Sequence, residues 1–400
     1  MESYGEIGRV PVNLEKVTAY LNTLEEKYGV PGLDIKVTRG YDTVYRYMTG
    51  YSDYEKTKPV SARDMYDIYS CSKVITMVGV MQLIEQGKLG LEDALSQYLP
   101  EFEEMQYAAD FKVGEFPFVW PTEDSDLRPA RNKMKIHDLM SMTAGMSYDV
   151  TSKPIRDLVA ATNGQANTRQ IVAAMAKMPL LCEPGTRYSY ALGHDVLAAV
   201  VEVVSGMSFG EYMKQNVFQP LGITEMYYQV PEECQGRLSA QYAKNWTTGE
   251  ILPDGSMNYR ITRNYESGGA GLCTTVDEYS RVIQALANGG VGATGKRILR
   301  PESIRAMSRN WLTAVELADF AKAGKVGYGY GLGVRTLIDG SVSKSPVGEF
   351  GWDGAAGAYC LVDPIHHISL YYAHQILGMM EAYSEIHPTV RDLVYQAMEL

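Results

Sequence analysis

The segment "YSCSKVITMVGVMQLIEQG", from Tyr69 to Gly87, decides the fold. Between Val74 and Ile84 nearly every position is Val, Ile, Met, Leu or Gly. A helix that is apolar almost all round is buried, so the segment predicts a core helix with Gly87 as its C-cap. Lys73 stands one turn into it. Because a buried ammonium without a partner is costly, Lys73 must have charged or hydrogen-bonding neighbours, a shifted pKa, or both.

The bulk composition is that of an ordinary globular protein. The chain has 400 residues, of which 46% are hydrophobic and 21% charged, and its length suggests one large or two interlocked domains. The formal net charge of -11 argues against nucleic acid or an anionic membrane as a partner. No targeting segment or membrane-length apolar run is apparent. Five scattered cysteines without a CxxC pair predict a reduced, cytoplasmic setting and no metal site.

The order of the predicted elements indicates how the domains are organised. "GLDIKVTRGYDTVYRYMTGY" alternates as strand, turn and strand, and further strand-like segments lie near residues 328–337, 359–362 and 368–374. Helical patterns occur at residues 135–142, 168–178, 194–205 and 388–400. This order predicts an antiparallel sheet domain built from residues 1–100 and 260–400. Residues 101–259 form a mostly helical insert, and the active site lies between the two parts.

Ser70 and Lys73 form an S-x-x-K pair, which places both side chains on one face of the helix. Ser70 is near the helix N-terminus, where free N–H groups favour negative charge. A serine there can attack a carbonyl while the lysine takes or relays its proton. The pattern recurs from Ser341 to Lys344 in "DGSVSKSP", where no buried helix follows, so this copy is expected to be a solvated loop.

Tyr190 is a further candidate, in "EPGTRYSYALGHDVLAAVVEVVSG". It stands between a Pro184-Gly185 turn and a second buried helix, so its hydroxyl can point into a cleft. In a chain with 29 tyrosines, most are ordinary core or surface aromatics. Tyr190 alone therefore indicates little.

Several long blocks, in order, resemble the serine β-lactamase-like hydrolases. This family contains class C β-lactamases, D-alanyl-D-alanine carboxypeptidases, D-aminopeptidases and family VIII carboxylesterases. The blocks are the Tyr69 segment, "MKIHDLMSMTAGMSY", "PGTRYSYALGHDVLAAVVEVVSG" and "GGAGLCTTVDEYSRVIQALANGG". The resemblance implies an α/β (α+β) fold of the β-lactamase/transpeptidase type, an antiparallel sheet flanked by helices. It also implies that Ser70 is the nucleophile and that no cofactor takes part. Ser70 and Tyr190 would share the proton of Lys73, and the nearby ammonium would lower the pKa of Tyr190.

Two family motifs depart from the β-lactamase pattern. The usual Tyr-x-Asn reads Tyr190-Ala191-Leu192, so the amide donor is lost. The usual Lys-Thr-Gly or His-Thr-Gly falls on Trp352-Asp353-Gly354, which removes the cation and adds a negative charge. Variants of this kind are similar to those of family VIII esterases. The resemblance then implies that the backbone N–H groups of Ser70 and Ala355 form an oxyanion hole. It also implies that substrate is bound by Leu192, Trp352, Asp353 and Gly354.

These observations predict a serine hydrolase that cleaves small-molecule acyl esters through an acyl-serine intermediate. The alternatives are a D-amino-acid peptidase or carboxypeptidase, a β-lactamase, an acyltransferase to an alcohol, or a catalytically silent sensor of the same fold. The aromatic stretch from Phe111 to Trp120 is expected to form a wall or lid over the site. Whether Lys73 or Tyr190 is the general base stays open, as does the oligomeric state.

Overall fold

The computed structural model describes residues 14–110, 120–122, 124–256 and 259–400. Helices in this part of the chain are α1 (Glu15–Leu21), α2 (Leu24–Tyr28), α3 (Ser72–Glu85), α4 (Ile136–Met140), α5 (Lys153–Ala161), α6 (Thr168–Met175), α7 (Gly193–Ser205), α8 (Phe209–Met213), α9 (Val276–Ala287), α10 (Pro301–Ser308), α11 (Ala314–Lys322) and α12 (His387–Ala397). No single helix among the described residues is long and apolar enough to cross a membrane. One pair, Gly193–Ser205 with Phe209–Leu221, has the joint length and composition but is bent by 77°.

The strands are short, apart from the first two. They are β1 (Gly32–Arg39), β2 (Asp42–Gly50), β3 (Tyr66–Asp67), β4 (Gln106–Ala108), β5 (Leu127–Pro129), β6 (Met226–Tyr227), β7 (Tyr242–Lys244), β8 (Ile251–Pro253), β9 (Cys273–Thr274), β10 (Tyr328–Tyr330), β11 (Arg335–Leu337), β12 (Phe350–Asp353), β13 (Tyr359–Asp363), β14 (Ile368–Ala373) and β15 (Ile376–Leu377). Seven of them form the main sheet in the order β10-β11-β12-β13-β14-β1-β2, and every neighbouring pair is antiparallel.

The two ends of the chain meet in this sheet. β1 and β2 form the predicted hairpin, with Arg39 opposite Asp42, and the turn is made by Gly40 with a φ of 57°. β1 also pairs with β14, a strand more than 300 residues later, so the N-terminal hairpin extends the C-terminal meander. The predicted antiparallel sheet from both termini is confirmed. The division at residues 100 and 260 into two domains stays a prediction.

Each face of the sheet carries its own hydrophobic core. On one face, α1 and α12 pack with Ile35 and Leu370. On the other, α9 packs against the sheet, and the core continues through α3 to α7 and the smaller helices. Every residue of α3 from Ser72 to Leu83 is buried, as its apolar sequence predicted. This packing places the beginning of α3 between the sheet and the helical part of the chain.

The long connection after α3 contains two short strands. β4 and β5 pair as an antiparallel ladder, which the sequence did not predict. Residues 111–119 of the expected lid lie outside the described residues. Trp120, at the end of that stretch, is buried and donates its Nε1–H to the Asp149 carbonyl at 2.8 Å.

Candidate active site

Ser70 lies in a 3₁₀ turn, Tyr69–Cys71, immediately before α3 rather than within the helix itself. Tyr69 has a φ of 46°, a left-handed conformation that is uncommon for a bulky residue and occurs preferentially at functional sites. The Tyr69 hydroxyl donates to Gln241 Oε1 at 2.5 Å, and the Tyr279 hydroxyl donates to the Cys71 carbonyl at 2.9 Å. These contacts from distant segments hold the turn that presents the Ser70 hydroxyl.

Lys73 is completely buried, and its partners are now visible. Its Nζ lies 3.2 Å from Ser70 Oγ, 3.0 Å from Tyr148 Oη and 2.8 Å from the Gly269 carbonyl oxygen. Burial lowers the pKa of Lys73 to about 7, and the negative charge of Asp195 is the largest influence in the opposite direction. A substantial neutral fraction at neutral pH gives this amine the capacity to accept a proton from Ser70.

Tyr190 contacts Lys73 through its ring rather than by a direct hydrogen bond to Nζ. The ring centroid is 4.8 Å from Nζ, and the ring stacks on that of Tyr148 at 5.0 Å with an angle of 7°. Trp352 Nε1 donates to Tyr190 Oη at 3.0 Å. The expected sharing of the lysine proton between Ser70 and Tyr190 is therefore corrected, since Tyr148 holds the position at Nζ.

The protonation of the two tyrosines also differs from expectation. A nearby ammonium was expected to lower the pKa of Tyr190, but burial raises it, and hydrogen bonding to Ser70 and Trp352 offsets only part of the rise. Burial likewise raises the pKa of Tyr148 well above its usual value. Desolvation of the phenolate is the largest influence on the pKa of both tyrosines. Both phenols are therefore protonated at neutral pH.

The residues of the third motif face in opposite directions because they alternate along β12. The Trp352 side chain points toward the candidate site, where its ring centroid lies 5.5 Å from that of Tyr190. Asp353 points the other way, where its Oδ2 accepts from Lys325 Nζ at 2.7 Å and its Oδ1 lies 2.9 Å from His387 Nδ1. The charge of Asp353 is thus already paired within the protein, and its expected contact with substrate stays a prediction.

Leu192 also lies away from the expected position. It precedes α7, is fully buried in the larger core, and its backbone N–H donates to the Ser147 carbonyl at 3.1 Å. A side chain with no exposed surface packs the helix rather than lining a cleft. The expected contact between Leu192 and substrate is therefore not supported.

Gly354 and Ala355 lie beside the serine turn. A Cβ on Gly354 would stand 2.5 Å from the Ile68 carbonyl oxygen, so only glycine permits this approach of the two backbones. Gly354 thus brings the end of β12, just before Ala355, close to the backbone just before Ser70. The oxyanion pair formed by the N–H groups of Ser70 and Ala355 stays a prediction.

The tyrosines around the serine were mostly missed by sequence reasoning. Tyr148 closes the segment "MTAGMSY", and its position in a family block was a usable signal. Tyr259 carried no signal, yet its ring contacts those of Tyr148 at 5.5 Å and Tyr69 at 6.3 Å, both edge to face. Together with Tyr190 and Trp352, they form an aromatic wall around Ser70.

Comparison with known proteins identifies relatives of the whole chain. EstCE1, a hydrolase with promiscuous acyltransferase activity, superposes with a TM-score of 0.77 at 25% identity, covering 96% of this chain and 98% of the other. Lovastatin esterase of Penicillium rubens is 30% identical over 299 residues, 70% of this chain and 72% of the esterase. The protein Rv1367c of Mycobacterium tuberculosis is 27% identical over 335 residues, 82% and 81% of the two chains. The sequence model of the Beta-lactamase family matches residues 17–394, and the chain therefore belongs to the beta-lactamase family, with the predicted fold.

Proposed function

We propose that the protein is a serine hydrolase that cleaves small acyl esters through an acyl-serine intermediate on Ser70. The observation that carries this proposal is the 3.2 Å contact between Ser70 Oγ and the Nζ of fully buried Lys73, whose pKa burial lowers to about 7. A nearby amine of that basicity is well matched to general-base catalysis at neutral pH. Family membership supports the same reaction class.

In the first half-reaction, neutral Lys73 takes the Ser70 proton while Oγ bonds to the ester carbonyl carbon. The resulting oxyanion accepts hydrogen bonds from the N–H groups of Ser70 and Ala355, and such donors contribute roughly 3–4 kcal/mol each to the transition state. Collapse breaks the bond to the alkoxide, which receives the proton from Lys73. Water repeats the sequence on the acyl-serine and releases the carboxylic acid.

The two protonated phenols act as fixed donors rather than as bases. Burial raises the pKa of both Tyr148 and Tyr190, and the Ser70 hydroxyl is a hydrogen-bonding neighbour of each. Their hydroxyls can donate to Ser70 Oγ or to the departing alkoxide oxygen. Tyr148, whose Oη lies 3.0 Å from Lys73 Nζ, can also pass on the lysine proton. The proposal therefore assigns the role of general base to Lys73.

An uncharged ester is the substrate class that the site favours. Trp352 replaces the motif's cation, and the nearby Lys325 is already paired with Asp353. In the described part of the site, a substrate carboxylate therefore meets no unpaired cation, while the aromatic wall suits an apolar acyl group. The similarity to lovastatin esterase supports an ester as the substrate.

Acyl transfer to an alcohol is the second candidate. EstCE1, which is similar over nearly the whole chain, is described as a hydrolase with promiscuous acyltransferase activity. An alcohol would bond to the acyl carbon in place of water, with Lys73 as base again. To test this, a short-chain alcohol is added to the assay. The ratio of product ester to product acid then measures how the acyl-serine divides between transfer to the alcohol and hydrolysis.

A substrate panel tests the proposal. Purified protein is assayed with p-nitrophenyl butyrate, nitrocefin and a D-Ala-D-Ala peptide, and Ser70→Ala is the matched control. We expect kcat/KM for the ester to exceed that for either anionic substrate by at least ~10-fold, equivalent to about 1.4 kcal/mol. Quenching with the ester should leave an acyl mass on the Ser70 peptide. Equal turnover of nitrocefin, or ester turnover without Ser70, would contradict the proposal.

A further inference from the structure

A second charged residue is buried in an apolar helix beside the candidate site. Asp195 is the third residue of α7 and is 1% exposed, in the run "GHDVLAAVV". Its Oδ1 accepts from the Tyr265 and Ser267 hydroxyls, each at 2.6 Å. Its Oδ2 is buried and has no hydrogen-bond partner among the described residues. A half-satisfied buried carboxylate is costly unless a cation compensates it.

Lys73 is the cation that Oδ2 faces. A Cβ placed on Gly269 would stand 2.6 Å from Asp195 Oδ2 and 3.4 Å from Lys73 Nζ, so the two atoms are no more than 6.0 Å apart. Gly269 also supplies the carbonyl that accepts from Lys73 Nζ at 2.8 Å. Because Gly269 has no side chain, the Asp195 carboxylate and the Lys73 amine can approach each other beside its backbone.

The other titratable groups around Lys73 do not supply this charge. Cys71, Tyr148 and Tyr190 have pKa values raised by burial, and His194, on α7, has its pKa lowered by burial and then by Lys73. All four are neutral near pH 7. Of the groups that face Lys73 in the described residues, only Asp195 is a carboxylic acid.

We infer that Asp195 is a positioning residue of the proposed hydrolase, whose buried carboxylate stabilises the positive charge that Lys73 gains when it accepts the Ser70 proton. The inference rests on the proposed function of Lys73. Tyr265 and Ser267 fix the carboxylate by occupying Oδ1, and this leaves Oδ2 directed at the amine. The N-terminus of α7 supports the negative charge when Lys73 is neutral.

The pH dependence of ester hydrolysis tests this role. Asp195→Asn keeps the shape and the acceptor for Tyr265 and Ser267 but removes the charge. We expect its kcat/KM profile to reach half-maximum roughly one pH unit lower than wild type, because Lys73 is easier to deprotonate. The plateau kcat should fall at least ~10-fold, because the ammonium formed during acylation loses its counter-charge. Glu202→Gln, which removes a carboxylate about two turns farther along the same helix, is the matched control and should leave the midpoint in place.

Gly269→Ala is the second variant, and it decides the matter if Asp195→Asn does not fold. Its added methyl forces Asp195 Oδ2 and Lys73 Nζ apart while both charges persist, so the midpoint should again shift to lower pH. If Asp195→Asn folds and the midpoint of its kcat/KM profile does not move, the inference is overturned. If Asp195→Asn does not fold, an unmoved midpoint in folded Gly269→Ala overturns it instead. Neither result would touch the proposed function, which is tested separately by the substrate panel and by Ser70→Ala.

Discussion

The chain contains the same four-residue pattern twice, in two different environments. Ser70 lies in the turn that leads into α3, Lys73 lies in the first turn of that buried helix, and Lys73 has no exposed surface. Ser341 and Lys344 are exposed, in and after a short 3₁₀ turn, where Asp339 caps the Ser341 N–H. The predicted solvated loop for the second copy is confirmed.

The difference between the two copies shows that burial of the lysine, and not the Ser-x-x-Lys spacing, makes the lysine able to act as a base. An exposed ammonium is stabilised by water and is fully protonated at neutral pH. Removing that water lowers the pKa of Lys73 to about 7, which makes a base of a residue that is ordinarily an acid. An exposed Ser-x-x-Lys has no such means of activating its serine.

The serine substitutions carry the largest expected effect. Ser70→Ala should lower kcat for p-nitrophenyl butyrate by more than ~10³-fold, because no acyl-enzyme can form. Ser341→Ala should retain wild-type turnover. Thermal midpoints measured alongside should be nearly unchanged for both, since neither hydroxyl is needed for packing. If Ser341→Ala loses activity and Ser70→Ala stays active, the nucleophile is Ser341 and the assignment of Ser70 is wrong.

The lysine substitutions come next. Lys73→Ala should lower kcat by roughly 10²–10⁴-fold, the usual contribution of a general base, while Lys344→Ala should have no effect. Combining Lys73→Ala with Tyr148→Phe should cost little more than Lys73→Ala alone, because the two groups move one proton as a unit. Multiplicative losses in steady-state kinetics would show that Tyr148 acts independently of the lysine.

The pH profile of ester hydrolysis also tests whether Lys73 is the base, through a smaller change in rate. Lys73 must be neutral to act, so kcat/KM should rise about tenfold per pH unit on the acidic side and level off above the midpoint. With the pKa of Lys73 lowered by burial to about 7, the midpoint belongs near neutrality. A rate that peaks well below neutrality would be incompatible with a lysine base.

Stability should show the smallest effect and the clearest sign. The folded pKa of Lys73 is about 7 and the ordinary value is 10.5, so the charged form is disfavoured on folding. The resulting destabilisation is fully present below about pH 7 and is relieved as pH rises toward the unfolded value. The thermal midpoint of Lys73→Met relative to wild type should therefore be highest in acid and decline toward alkaline pH. Lys344→Met should show no such trend, and equal trends for the two variants would refute a special environment at Lys73.

Much of the fold could be predicted because its signals are local. The apolar run of α3 and the alternation of β1 and β2 specify burial and pairing directly, and the structure agrees with both. Motif order identified Ser70, Lys73 and Tyr190, which the structure brings together. Asp195 carried the same signal as Lys73, a charge in an apolar helix, but was not recognised.

What sequence reasoning missed depends on long-range contacts. The pairing of Asp353 with Lys325 and His387 depends on which face of β12 each side chain occupies and on two segments distant in sequence. The place of Tyr148 at Lys73 Nζ requires a contact across 75 residues. The sign of the Tyr190 pKa shift depends on the degree of burial, which spacing alone does not report.

Active-site labelling tests the central claim most directly. Wild-type protein is treated with a fluorophosphonate at a series of pH values from about 6 to about 9, and the modified peptides are identified by mass spectrometry. The account predicts labelling of the Ser70 peptide, at a rate that rises with a midpoint near the lowered pKa of Lys73, and no labelling of the Ser341 peptide. Labelling of Ser341 at a comparable rate, or a Ser70 rate that does not change across this range, would contradict it.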